Sequence, residues 1–358
     1  MPVSKDDPIG PQGLARPMAL GFALCLALSC GARAQETRKS APDRASSSAG
    51  AGDKTVVAQV NDKPIHKTDV DQALAVLLKA QQVSPSASPK PEHQAAVLEM
   101  LVGQRLYADF IERNDDLKAS AEEVKKVVDD IRRQLREKQR ITLEQYARQL
   151  GLTVAGLESQ VAHDLSGQKL VQKYGTPETV EAYYKRYGRN FDGTQLRVSH
   201  ILLRPKGNGN ENETAELRAK AEQIKAQIES GKLTFADAAR QFSAGPSRQD
   251  GGDLGFIGRT GPMVEEFNNA AFELEQGKIS EPVITTFGIH LITVTEVKPG
   301  DKPLELVRDQ VMPVFKQWLI EQLITKEKKT AKIEFNESFP HFKPGTRELA
   351  GAEVSTEK

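Results

Sequence analysis

Apolar residues recur at helical spacing over most of the chain, and a shorter stretch of strand-like texture interrupts them. Val97, Leu98, Leu101, Val102 and Leu106 fall three and four positions apart, as do Val124, Val127, Val128, Ile131 and Leu135, and then Val154, Leu157, Val161, Leu165 and Leu170. Such stripes predict amphipathic helices up to about residue 187. Ahead of them, residues 56–60 read as a short strand followed by the turn-like Asn61-Asp62-Lys63-Pro64. Thr68 stands where an N-cap is expected, with Asp69 and Asp71 in the first turn, which predicts a helix over 69–82. The prolines and serines of 83–91 predict a loop.

At Gln195 the texture changes. Residues 196–203 are strand-like, Leu217, Ala221, Ile224 and Ile228 outline a helix stopped at Gly231, and Thr234 caps a short helix through Phe242. A glycine-rich turn, a helix over 267–272 and two strands at 282–284 and 289–297 complete an α+β order. After Gly300 the helical period returns through Leu323, with Pro313 expected to kink or split that helix. Residues 332–335 read as a closing strand, and 337–358 as a disordered tail.

Composition narrows the function classes. Lys+Arg and Asp+Glu each number 49, so no net charge draws the chain as a whole onto nucleic acid or an anionic membrane. Lys5 and Arg16 precede the apolar run 18–28, which is too short for a membrane span and reads as a secretory signal. Cleavage after Ala32-Arg33-Ala34 and a lipobox-like Leu26-Ala27-Leu28-Ser29-Cys30 are both open. The two cysteines, Cys25 and Cys30, lie within this region, so ordinary cleavage leaves no disulfide, thiol nucleophile or cysteine metal site; the alternative makes Cys30 a lipid anchor. Residues 35–54 hold no apolar side chain larger than Ala and read as a flexible tether.

Several ordered blocks carry a resemblance: Val198-Ser-His-Ile-Leu202, Gly251-Gly-Asp-Leu-Gly-Phe256, Met263 with Phe267, Ala271-Phe272, Ile279-Ser-Glu-Pro-Val283 and Thr286-Phe-Gly-Ile-His290. In register over 195–298, they resemble the parvulin, PpiC-type, peptidyl-prolyl isomerase family. The flanking segments resemble the SurA/PrsA-type foldases. The resemblance implies an α+β parvulin module, an antiparallel sheet with surrounding helices. It would be flanked by a helical chaperone-like domain over 55–190 and a C-terminal helix over 303–336 that packs on that domain. It implies a prolyl isomerase and folding chaperone, periplasmic or otherwise extracytoplasmic. Its partners would be unfolded exported proteins with X-Pro bonds, with no nucleic acid and no membrane contact except through Cys30.

The chemistry asks for little apparatus. An X-Pro bond interconverts over tens to hundreds of seconds across a barrier of about 18 to 20 kcal/mol, and no bond is broken. A proline ring must be gripped and a twisted amide stabilised, with no cofactor and no metal. The resemblance places the proline pocket at Leu254, Met263 and Phe267, and the site network at His200, His290 and Thr285. The histidine pair is expected to fix hydrogen bonds and tautomers under the substrate rather than transfer protons. One position departs from the family pattern: three residues after Phe242, where Asp or Cys is usual, stands Gly245. Ser243 or Asp250 could substitute from the same loop. Reduced turnover is the expectation, and a holdase chaperone or assembly factor with a degenerate parvulin domain is the alternative.

Overall fold

The structure is a computed structural model that describes residues 54–80, 90–206, 211–346 and 348–351. The signal, lipobox and tether readings, and most of the 83–91 loop, lie outside the described residues. The chain divides into two units, a sheet unit over 177–315 and a helical unit formed by 54–176 with 316–351.

In the helical unit, strand β1 (Val56–Val60) turns through Asn61 and Asp62 into β2 (Lys63–His66), with Val60 opposite Lys63. Asn61 takes φ 45°, as a two-residue hairpin loop demands. The other edge of β1 pairs antiparallel with β7 (Ile333–Phe335), the closing strand, giving the order β2-β1-β7. The helix after β2 runs Lys67–Ala80, two residues earlier than Thr68 suggested. Its start is held by the Asp69 carboxylate, which accepts from the His66 N–H at 2.8 Å, so Thr68 lies inside the first turn.

The periodic stripes become the helices Pro91–Glu112, Ala121–Gln134, Leu143–Gln149 and Val154–Tyr174. Ser120 with Glu123 and Thr142 with Gln145 form capping boxes that fix two of their starts. Val128, Leu135, Leu143, Ala147, Leu157 and Val161 close one core between them. A groove of about 500 Å³ runs beside the helix Lys67–Ala80, floored by Ile65, Val76, Leu101 and Leu152.

At the C-terminus one of two alternatives is excluded and one expectation is corrected. Pro313 does not divide its helix, which runs unbroken over Leu304–Lys328; the one backbone bond proline cannot make is outweighed by burial of Val307, Val311, Phe315 and Ile320. The presumed disordered tail is ordered from 337 to 346 and from 348 to 351. Strands β8 (His341–Phe342) and β9 (Leu349–Ala350) pair, Phe339 is 8% exposed, and the His341 ring stacks on Phe335 at 4.7 Å.

The sheet unit is built on an antiparallel sheet of order β4-β3-β6-β5. Its strands are β3 (Gln195–Leu203), β4 (Asp253–Gly258), β5 (Val283–Thr285) and β6 (Gly288–Lys298). The segment 253–258, read from sequence as part of a turn, is thus an edge strand. The helices Glu211–Glu229 and Phe235–Phe242 cover one face through Ala221, Ile224, Ala238 and Ala239 against Ile201, Leu203 and Leu291. The helix Glu265–Glu273 covers the other through Phe267, Ala271 and Phe272 against Val198, Ile292 and Val294. The helix Pro177–Tyr187 belongs to this unit rather than to the helical one, since Tyr183 packs edge-on to Phe315 and Arg189, just beyond it, donates to the carbonyls of Ala271 and Leu274.

Candidate functional site

Strand alternation sets up the site. His200 in β3 pairs with Ile292, and His290 in β6 pairs with Leu202, so the two histidines are diagonal neighbours on one face of the sheet. Their Nδ1 atoms lie 3.2 Å apart, and the rings stack with 28° between planes. Both are buried, at 6% and 5% exposure. On the far side of His290, Nε2 is 2.9 Å from the Thr285 hydroxyl, which also accepts from the Phe287 N–H. The result is one continuous chain, Thr285 to His290 to His200.

Two glycines make this geometry possible. Gly252 has φ +87°, and its N–H and C=O tie the loop to Ser247 and to the His200 N–H; a Cβ there would lie 2.4 Å from the His200 carbonyl. Gly288 has φ +131° and closes the Thr285–Gly288 turn against the Leu203 carbonyl, leaving no room for a side chain.

Burial pushes both imidazoles down, each to about 4; His290 feels in addition the neighbouring ring and the positive charge of Arg204. At neutral pH both rings are uncharged, so each carries one proton and offers one acceptor. Two aligned arrangements follow. If Thr285 donates to His290 Nε2, then His290 Nδ1 donates to His200 and His200 Nε2 carries a proton. If the proton pattern reverses, His200 Nε2 is a bare acceptor. The network therefore passes the orientation of one hydroxyl to a nitrogen two side chains away.

Phe267 stands edge-on to both histidines, with centroids 5.9 Å and 5.5 Å away. It is only 2% exposed, so it is a floor, while Leu254 and Met263, packed against the same core, remain partly exposed. The six residues singled out from sequence thus lie on the same face and rim of one sheet. The groove in the helical unit carries no comparable pair of buried titratable groups among its lining residues.

Gly245 lies against this network. A Cβ on it would sit 2.9 Å from His200 Nε2, and that nitrogen is sealed from solvent with no hydrogen-bond partner among the described residues. Neither suggested substitute takes the position. The Ser243 oxygen accepts from the Leu202 and Gly245 N–H groups, which pins the loop to β3, and Asp250 is exposed at the end of the turn Pro246–Asp250.

Sequence reading did not single out three further neighbours. Phe287 and Ile284 are exposed apolar side chains flanking Thr285, 55% and 41% accessible, and Arg204 bears electrostatically on His290. Phe287 sits in the quoted Thr286-Phe-Gly-Ile-His290 block, but its exposure is a tertiary fact.

Comparison with known proteins identifies the family. A family model described as a PPIC-type PPIASE domain matches residues 183–298, and one described as a SurA-like N-terminal domain matches 44–171. Foldase protein PrsA of Geobacillus sp. (strain WCH70) is 32% identical over 207 residues, spanning 54% of this chain and 68% of its own length. Foldase protein PrsA 3 of Bacillus anthracis is 30% identical over 234 residues, spanning 62% and 73%. A solved peptidylprolyl isomerase (PrsA) from Bacillus anthracis matches at 25% identity over 64% of this chain and 96% of that one, with a TM-score of 0.32, which adds nothing to the assignment. With a parvulin-type isomerase domain behind a SurA-like N-terminal domain, the chain belongs to the PrsA family of foldases.

Proposed function

We propose that the chain isomerises X-Pro bonds in unfolded exported proteins, outside the cytoplasm, with the proline ring on Leu254, Met263 and Phe267 and the twisting amide above the His200–His290–Thr285 chain. The observation that carries this reading is the continuous hydrogen-bonded chain with Phe267 edge-on to both imidazoles. An amide rotating through its twisted state loses conjugation, so its nitrogen becomes a better acceptor and its carbonyl changes partner. A neutral network whose protons can be aligned either way meets that change without moving a charge into the buried site.

Export is supported by the apolar run 18–28 behind Lys5 and Arg16, and Cys30 offers a lipid anchor. No described helix is long and apolar enough to cross a membrane. Gly245 leaves the network one polar group short of the usual family pattern, which makes a slow isomerase the expected behaviour.

A proline-limited refolding assay tests the assignment of the pocket. The natural chain is expected to accelerate the slow phase, and Phe267→Ala to lose most of that acceleration while the chain stays folded by circular dichroism. Equal acceleration by both would remove the pocket from this face of the sheet.

A further inference from the structure

The helical unit carries a run of cations that neither its core nor the isomerase site uses. Between positions 132 and 148, Arg132, Arg133, Arg136, Lys138, Arg140 and Arg148 stand against Glu137 and Glu144 alone, in a chain of zero formal charge. Arg132 and Arg133 are ion-paired to Asp129 and Asp130 on their own helix. Arg148 donates to the Glu144 carbonyl and makes no ion pair among the described residues. Arg136, Lys138 and Arg140 are exposed and make no ion pair or hydrogen bond among the described residues.

The backbone departs from regularity at the same place. The helix Ala121–Gln134 runs on into a π-turn over Leu135–Gln139, and Arg140 ends it at φ 55°, ψ 33°, with the Ile141 N–H bonded back to the Leu135 carbonyl. Glycine is favoured at such a helix end, and an arginine there carries a conformational cost that glycine would not. A residue in this conformation that carries a long, exposed charged side chain points to a use for that side chain.

The chemistry of the turn selects the kind of partner. Leu135, at 1% exposure, is the sole apolar residue from 133 to 140, so the outward surface is entirely polar. Docking to a protein depends on buried aromatic and aliphatic anchors, which this surface lacks. A flat anionic layer needs only charge. We propose that the turn 136–140 is an electrostatic contact for a bilayer surface rich in anionic phospholipid headgroups. Each free Lys or Arg near such a surface strengthens partitioning about five-fold. The three together give about a hundred-fold at low salt, a contact that salt screens.

Co-sedimentation of the full chain with phosphatidylcholine vesicles, with and without phosphatidylglycerol, tests this. Binding through the apolar N-terminal run is common to every variant, so the charge-dependent difference reads the turn. The triple variant Arg136→Gln, Lys138→Gln, Arg140→Gln is expected to lose about a hundred-fold of the phosphatidylglycerol-dependent binding at low salt. Arg140→Gly alone is expected to raise the melting temperature while weakening that binding about five-fold, a combination that a purely structural role does not produce. Unchanged binding by the triple variant would overturn the proposal. So would binding of polyglutamate, but not of vesicles, through these residues.

Discussion

His200 and His290 present the same atom to each other: their Nδ1 nitrogens lie 3.2 Å apart, so in the neutral state one must donate and the other accept. That contact fails once both rings are protonated. Burial holds both pKa values near 4, against about 6.5 in an unfolded chain. Between those values the unfolded state binds more protons, so stability rises with pH through the window. The sheet unit is expected to keep its stability above about pH 6.5 and to lose several kcal/mol as pH falls toward about 4. Histidine ring signals followed by NMR should show these two rings neutral at about pH 5.5, where an exposed imidazole is mostly charged. Titration of either ring near its ordinary value would contradict the network.

Thr285 orders that chain from its outer end, since its hydroxyl meets His290 Nε2 at 2.9 Å and accepts the Phe287 N–H. Thr285→Val should leave the buried nitrogen unpartnered, costing about 1 to 3 kcal/mol of stability and about ten-fold in kcat/KM. Thr285→Ser keeps the hydroxyl and should stay within about two-fold. Denaturant unfolding and a prolyl tetrapeptide assay, read together, check both halves. Equal rates for the valine and serine variants would show that the hydroxyl plays no part.

Gly245 gives a second pair of contrasting substitutions. Its backbone, φ −78° and ψ 159°, accepts any residue, so what opposes a side chain is crowding of a Cβ, 2.9 Å from His200 Nε2 and 3.3 Å from Ser243 Oγ. Gly245→Ala brings that crowding with no new bond and should cost about 1 to 3 kcal/mol. Gly245→Asp brings the same crowding together with a carboxylate that can accept from His200 Nε2–H. It should therefore be more stable than the alanine variant, raise the His200 pKa, and increase turnover several-fold. Thermal melts and tetrapeptide rates measure this, and an aspartate variant no better than alanine in either would sink it.

The segment after 336 is a structural part of the helical unit. Phe339 is 8% exposed and His341 stacks on Phe335 of strand β7, which in turn pairs with β1. Phe339→Ala should destabilise that unit by about 3 kcal/mol and leave tetrapeptide isomerisation unchanged. A melting curve identical to that of the natural chain would return the segment to the status of a tail.

The residues show why some of this was legible beforehand. The helices of 91–174 declared themselves because burial follows the 3.6-residue period: Leu98, Val102 and Leu106, and again Leu157 and Val161, are the buried positions. Strand β4 did not, because Gly255 and Gly258 interrupt its alternation and pairing with β3 supplies the order that composition withholds. Strands β8 and β9 are two residues each among charged neighbours, too short for any period to register. At the site, the family resemblance of the motif blocks pointed to His200, His290, Thr285 and Phe267, and the register of β3 with β6 explains why the two histidines meet. The crowding of Gly245 against His200 and the double backbone bond of Ser243 depend on a loop folding back over β3, and linear order carries no trace of that.

The most direct test of the account is isomerisation of a prolyl tetrapeptide by the natural chain beside His200→Ala and His290→Ala, each confirmed folded at neutral pH. Measurable catalysis is expected of the natural chain, with a loss of about ten-fold or more in kcat/KM in both variants and KM less affected than kcat. Catalysis that survives both substitutions unchanged would contradict it.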